Sequence, residues 1–164
     1  ILILLLIPGV ASAQWTTSVS ADEMTGEKSC YASSDSVNPI KRMGFPYQDV
    51  RAWLGIGTDG KIEWAYIGFN EAPNLLDTET KDGYNLIRTR IRWDDQVEYI
   101  TLTQKWGAKF LHFSEYNSAI AKMAKSSSVL LELNWYGNGS TYFKFSLNGS
   151  SVALSKIRSG CGGK

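Results

Sequence analysis

The chain is short of histidine, cysteine and excess charge, and each shortage excludes a class of chemistry. It has one histidine, two cysteines, and 17 Lys and Arg against 16 Asp and Glu, which gives a net charge of +1. A nucleic-acid partner needs a concentrated positive surface, which the scattered basic residues do not supply. Zinc needs several His or Cys ligands, and the glycine pattern of a phosphate loop is missing. We therefore predict no nucleic-acid partner, no metal and no cofactor.

The residues that could support catalysis stand in unpromising surroundings. His112 lies in the apolar run 110–113, and no carboxylate stands within two residues of it in sequence. This pattern is typical of a strand or core histidine rather than a catalytic base. The acidic pairs Asp22-Glu23 and Asp94-Asp95 stand in turn-like contexts, where Asp is a good turn former. We predict two turns and no catalytic residue, and we leave open a hydrolase that would use Asp94 or Asp95.

A long apolar run occurs only at the start of the sequence. Residues 1–7 are apolar, Pro8 and Gly9 follow, and Ala11-Ser12-Ala13 matches the small-residue pattern of a signal-peptidase site. This run is far shorter than the roughly 20 residues that a membrane span needs. We predict a signal peptide over residues 1–13, cleavage before Gln14, and a periplasmic or secreted protein that does not span a membrane.

The two cysteines, Cys30 and Cys161, lie near opposite ends of the remaining chain. An exported protein with an even number of cysteines usually oxidises them, so we predict one disulfide between them. Closing so long a loop stabilises a fold by roughly 5 kcal/mol in the chain-entropy model. Two free thiols, or a metal or redox pair, are the alternatives.

The middle of the sequence has the pattern of short antiparallel strands. β-Branched and aromatic runs are cut by Gly, Asn and Asp, and Asp59-Gly60 is a strong hairpin signal. Between residues 85 and 93 the arginines alternate with apolar residues, which places Ile87 and Trp93 on the opposite face from the arginines. The predicted strands and strand-rich runs are 15–19, 28–34, 51–57, 61–67, 85–93, 97–104, 110–113, 129–136 and 141–147. Long loops are predicted over 35–48 and 71–83.

Two helices complete the prediction. Residues 114–125 have apolar residues at three- and four-residue intervals, and Ser114 is a candidate N-cap. Residues 150–159 are predicted to form a short closing helix that ends close to Cys161. We expect a mainly β fold over 14–164, a single antiparallel β-sandwich domain with one amphipathic helix, a short C-terminal helix and one disulfide.

Six tryptophans are the most informative surplus in the composition. Trp and Tyr combine a large apolar surface with a polar tip, so on an exposed strand face they suit sugar rings or a protein partner. We expect most of the tryptophans in the core and one or two exposed. The residues of the predicted recognition surface are Arg88, Arg90, Arg92, Trp64 and Trp106.

The order of several short motifs supports a resemblance to known exported proteins. The motifs are Trp15, the Asp22–Gly26 turn, the strand 28–34 with Cys30, the hairpin at 56–60, Ile87-Arg88, the run 145–150, Ala153-Leu154, Ile157 and Cys161. This layout resembles that of small secreted proteins of Gram-negative bacteria, and is similar to the invasion-associated locus B proteins and to VasI-like accessory proteins of type VI secretion. The resemblance implies a periplasmic β sandwich with one disulfide and no recognised active site.

These observations together favour a non-enzymatic function. We expect an exported binding or accessory module of the bacterial periplasm that recognises an unknown protein partner of the cell envelope through an exposed strand face. The alternative is a binder of cell-envelope glycan such as peptidoglycan or, as a lesser alternative, a hydrolase that acts on it.

Overall fold

The computed structural model describes residues 15–162, and these residues form one continuous antiparallel sheet with two helices. The predicted signal peptide, at 1–13, lies outside the described residues. Ten strands are present within the described range. Their bounds are β1 Thr16–Ala21, β2 Lys28–Ser33, β3 Ala52–Thr58, β4 Glu63–Phe69, β5 Thr78–Lys81, β6 Tyr84–Trp93, β7 Gln96–Lys105, β8 Phe110–Phe113, β9 Ser128–Trp135 and β10 Gly139–Ser146.

The sheet folds back on itself, so that its two halves pack face to face. The strand order is β1-β2-β3-β4-β8-β7-β6-β9-β10, and β5 pairs with β6. Although β4 is not a neighbour of β9 or β10 in this order, the Phe69 ring lies 5.7 Å from the rings of both Trp135 and Phe143. The predicted mainly β, antiparallel fold is confirmed, and its two layers belong to one folded sheet with a shared core.

The loop between β2 and β3 joins the two halves at one side. Val37 forms a bridge with Ala52 of β3, and the Ile40 amide donates a 2.8 Å hydrogen bond to the Tyr142 carbonyl of β10. Within this loop Val50 and Met43 are buried. The irregular loop predicted here therefore contributes side chains to the core.

Helices α1 (Tyr116–Lys125) and α2 (Ser150–Cys161) cover the β2 and β4 end of the core. The buried side chains Ile120 and Met123 of α1 and Leu154 and Ile157 of α2 face inward, as their spacing predicts. Cys161 at the end of α2 is bonded to Cys30 of β2, with Cα atoms 5.9 Å apart. The predicted disulfide is confirmed, and it ties the last helix to the second strand.

Two local predictions are wrong. The predicted loop 71–83 contains β5, which pairs with β6 across a tight turn in which Asp82 and Gly83 both have positive φ. Such a turn matches the twist of paired strands, and Asp-Gly is one of its preferred sequences. The first helix begins at Tyr116, so Ser114 is not its N-cap. The Ser114 amide still donates to the Thr101 carbonyl and so prolongs the strand pairing.

Candidate functional site

The outer surface of the sheet carries a row of aromatic side chains. Successive residues of a strand point to opposite faces, and the inward positions of β3 and β4 hold buried residues such as Leu54, Ile56 and Ile67. The outward positions of β2, β3, β4 and β8 hold the rings. We call this surface the aromatic face, and its members are Tyr31, Trp53, Trp64, Tyr66, Phe110 and His112.

Each of three rings on this face lies opposite a glycine. The register of the β3–β4 hairpin pairs Trp64 with Gly57, Tyr66 with Gly55 and Trp53 with Gly68.

The glycines allow the rings to lie flat on the sheet. A Cβ atom on Gly57 would lie 2.3 Å from Cε2 of Trp64, 2.4 Å from Nε1 and 2.5 Å from Cζ2, so the ring face is directly above the glycine. The same holds for Tyr66 over Gly55 and for Trp53 over Gly68, at 2.1 and 2.3 Å. One face of each ring therefore rests on the backbone.

Neighbouring rings hold these flat rings in place from the side. Tyr31 meets Trp64 edge-on at 6.0 Å, and Phe110 meets Trp53 at 6.3 Å and Tyr66 at 5.6 Å. Edge-to-face contacts at these distances are the preferred arrangement of aromatic pairs. Trp53 and Trp64 remain half-buried, whereas Tyr66 is only 9% exposed. The two indoles therefore offer fixed, partly exposed ring surfaces to a ligand.

The rings occupy three successive levels along the strands. The levels are defined by the pairs 57/64, 55/66 and 53/68, each two residues from the next. At about 3.4 Å per residue the levels are about 7 Å apart, and the row is about 14 Å long. A row of this length suits an extended ligand better than a single small ring.

The aromatic face is uncharged at neutral pH. Outward strand positions beside the rings carry hydroxyl groups, with Ser29 and Ser33 flanking Tyr31 and Thr103 paired with His112. Burial lowers the pKa of His112, so its imidazole is neutral at pH 7. Burial raises the pKa of Tyr66, and the nearby Tyr31 adds to this effect. The face therefore combines ring surfaces with neutral hydrogen-bonding groups.

The five predicted recognition residues do not form one surface. Trp64 belongs to the aromatic face, whereas the three arginines stand on β6, from which β4 is separated by β8 and β7. Trp106 lies in the turn after β7 and is 83% exposed. The structure thus distributes them among three places.

The three arginines do lie on the exposed face of β6, as their alternation predicts, with Ile87, Ile91 and Trp93 buried behind them. Arg88 pairs with Glu79 at 3.3 Å, and Arg90 makes two hydrogen bonds to Glu132, at 3.1 and 2.5 Å. We call this surface, with Arg92, Val97, Tyr99, Leu130 and Tyr142, the arginine face. The Arg90 hydrogen bonds lower the pKa of Glu132, so this pair is ionised at neutral pH.

No protein-family model, curated protein or solved structure matches this chain. The geometry of its surfaces is therefore the basis for a functional proposal.

Both acidic pairs lie in turns, as their sequence context predicts, and the first Asp of each pair accepts backbone hydrogen bonds there. The Asp94 carboxylate accepts hydrogen bonds from the amides of Ser127 and Ser128 at 2.9 and 3.0 Å. Asp22 accepts two 2.8 Å bonds from the amides of Met24 and Thr25 in the turn between β1 and β2. Two backbone amides thus hold Oδ1 of Asp94 in this turn.

Among residues 15–162, no group of three or more His, Cys, Asp or Glu side chains is placed to hold a metal ion. The helices of the same range are all too short or too polar to cross a membrane.

Most of the aromatic face was missing from the sequence prediction. The sequence pattern does not single out Trp53, Tyr66 or Phe110, because an aromatic residue in a strand is more often a core residue. A usable signal was present in the predicted hairpin, where Trp-x-Gly-x-Gly from 53 to 57 faces Trp-x-Tyr-x-Gly from 64 to 68. Antiparallel pairing across Asp59-Gly60 sets every ring of these two patterns against a glycine.

Proposed function

We propose that this protein is an exported, non-enzymatic binding module of the bacterial periplasm, and that its aromatic face binds the neutral sugar rings of a cell-envelope glycan. The observation that carries this proposal is the flat seating of Trp53 and Trp64 on glycines, which turns one face of each indole outward. The disulfide between Cys30 and Cys161 supports export, since such bonds persist in oxidising compartments.

The chemistry of the face matches a sugar chain. A pyranose ring has an apolar C–H surface that packs on an aromatic ring, and hydroxyl groups at its rim that need hydrogen-bond partners. The indoles supply the first, and the hydroxyl side chains of β2 and β7 supply the second. The two partly exposed indoles lie about 14 Å apart along the strands, a spacing that suits a linear chain lying in this direction.

The distribution of charge favours a neutral ligand. The outward positions of β2, β3, β4 and β8 carry no Asp, Glu, Lys or Arg within their strand bounds. A strongly acidic or basic polymer would leave its charges unpaired over this face. Uncharged sugar units carry no such cost.

Sedimentation with insoluble peptidoglycan and with a neutral polysaccharide tests the proposal. The Trp64→Ala and Trp53→Ala variants should each bind at least about tenfold more weakly, because truncation of a central aromatic anchor costs about 2 kcal/mol or more and 1.4 kcal/mol is a factor of about ten. Trp64→Phe keeps a ring at this position and should retain part of the affinity. Tyr99→Ala is the matched control, since Tyr99 is 81% exposed on the arginine face.

Folding of each variant is checked by urea unfolding, so that loss of binding is separated from loss of structure. Wild-type protein that stays in the supernatant with both glycans would contradict the proposal. Equal binding by Trp64→Ala and wild type would contradict the assignment to the aromatic face.

The arginine face favours a second candidate function, recognition of a protein partner. Tyr99 and Val97 are largely exposed beside Arg92, and Tyr and Arg are the residues most enriched at protein interfaces. The partner would present a carboxylate to Arg92. A pull-down from periplasmic extract in which Arg92→Ala loses a band that Trp64→Ala retains would support this function, and the reverse pattern would contradict it.

A further inference from the structure

A cleft of about 530 Å³ opens at one end of the folded sheet, next to the turn that carries Trp106. This volume lies within the usual range for small-molecule sites, about 300–1,000 Å³. The turn runs directly into Phe110 of the aromatic face. Asn74, Asn85, Gln104 and Trp106 are among the residues that line the cleft.

The lining contains amides and one large ring but no charged side chain. Gln104 is 3% exposed, and its amide nitrogen donates to the carbonyls of Pro73 and Ala108 at 3.1 and 3.0 Å. These two bonds fix the orientation of the Gln104 amide and leave its oxygen towards Asn85. The floor of the cleft is therefore polar, neutral and rigid.

Asn85 has hydrogen-bonding capacity to spare. This side chain is 9% exposed, yet its amide donates to Gln104 Oε1 at 3.5 Å and its oxygen accepts from Thr80 at 3.4 Å. Both distances are well beyond the usual values, about 2.9–3.0 Å for N–H···O and about 2.7–2.8 Å for O–H···O, so both bonds are weak. A buried amide normally has stronger partners, because leaving it poorly paired costs about 1–3 kcal/mol.

The Trp106 indole stands at the rim of this polar floor. It is 83% exposed, although its large apolar surface would gain from contact with a ligand. A ligand that fits both features has an apolar ring surface for the indole and hydroxyl or amide groups for Asn85. The absence of charged groups from the lining excludes an ionic ligand as the preferred one.

We infer that this cleft is a second binding site, which takes a single neutral sugar unit, with Trp106 stacked on the sugar ring and Asn85 bonded to its hydroxyl or amide groups. The site is separate from the aromatic face and does not depend on the function proposed for that face. It also accounts for the exposed Trp106, which is not part of the other two surfaces.

Nuclear magnetic resonance titration of the oxidised protein tests the inference. The probes are two neutral sugars, glucose and N-acetylglucosamine, with glucuronate and glucosamine as charged controls. The side-chain amide signals of Asn85 and Gln104 and the indole signal of Trp106 should shift with at least one neutral sugar and not with the charged controls. Trp106→Ala should weaken this binding about tenfold, and Trp106→Phe should restore part of it.

Trp64→Ala is the matched control, because it removes an indole from the aromatic face and should leave the cleft titration unchanged. Absence of shifts at Asn85 and Gln104, or equal shifts with charged sugars, would overturn the inference. Polysaccharide sedimentation separates the two sites: if Trp106→Ala still sediments and Trp64→Ala does not, the proposed function stands whatever the titration shows.

Discussion

At the scale of single residues, the aromatic face depends on the absence of three side chains. Gly55, Gly57 and Gly68 leave the space above the backbone that the rings of Tyr66, Trp64 and Trp53 fill. An added methyl group cannot share this space with a ring atom little more than 2 Å away. The orientation of each ring therefore depends on the glycine opposite it as much as on the aromatic residue itself.

The Gly57→Ala variant should displace the Trp64 ring, because the new Cβ would lie 2.3 Å from Cε2. We expect the free energy of unfolding to fall by about 1–3 kcal/mol, the usual cost of overpacking. Glycan sedimentation should weaken as well. Urea unfolding followed by tryptophan fluorescence measures the loss of stability.

Gly44→Ala is the matched control for this change. Its new Cβ would lie 3.8 Å from Asn138 Oδ1, an ordinary contact, so the stability should change by less than about 0.5 kcal/mol. Equal losses in the two variants would show that the ring does not lie over Gly57.

Alternation along the strands predicts which residues share a face, but not always which face is buried. On β6 the charged arginines mark the exposed side, and the exposed and buried sides are those expected. On β4 both sides are apolar, with Trp64 and Tyr66 on one and Ala65 and Ile67 on the other. Only the packing of the whole sheet decides between two apolar faces, so the sequence could not say which tryptophans are exposed.

At the scale of elements, the strands and hairpins with strong local signals were predictable. The Asp59-Gly60 hairpin and the two helices have turn residues and apolar spacing that agree with the fold. The short β5 was missed because its residues are mostly polar and exposed, and pairing with β6 rather than burial holds it in place. The bend of the sheet could not be predicted from local pattern, since it arises from contacts between distant strands.

An ion pair between α2 and β4 gives the fold an acid-sensitive link. Arg158 donates to both carboxylate oxygens of Glu63, at 2.6 and 2.9 Å, and these bonds lower the pKa of Glu63. Because the folded pKa is lowered, the added stability is present above the unfolded value and is lost as the pH falls through the folded one.

We expect the stability difference between wild type and Glu63→Gln to be constant above about pH 5 and to shrink below about pH 4. It should not exceed about 1 kcal/mol, because half of the Arg158 side chain is exposed to solvent. Urea unfolding across this pH range measures it. Glu23→Gln, which changes a carboxyl in the exposed turn after β1 that belongs to none of the ion pairs found among residues 15–162, is the control variant, and a difference for Glu63→Gln that grows towards low pH would contradict the role of the ion pair.

At the scale of the whole molecule, one core serves both halves of the sheet. Phe69 of β4 contacts Trp135 and Phe143 from the opposite layer, and all three rings are fully buried. A structure with a single shared core is expected to unfold in one cooperative transition. The resemblance to periplasmic accessory proteins remains a prediction at this scale.

Phe69→Ala should lower the free energy of unfolding by about 3–5 kcal/mol and leave a single transition, since it opens a cavity at the junction of the two layers. Circular dichroism of the backbone and tryptophan fluorescence should then give the same midpoint. Phe110→Ala is the matched control, because Phe110 is 42% exposed and its loss should cost less. Two separate transitions would mean that the halves fold independently.

The pairing of rings with glycines has a consequence for how this surface changes in evolution. A residue larger than glycine at position 57 leaves no room for a tryptophan at position 64 to lie flat on the sheet, and the same reasoning links 55 with 66 and 68 with 53. Homologous chains should therefore exchange these residues in pairs, and such covariation reports spatial contact. Homologues that lack the rings and carry larger side chains at the glycine positions should no longer bind the ligand.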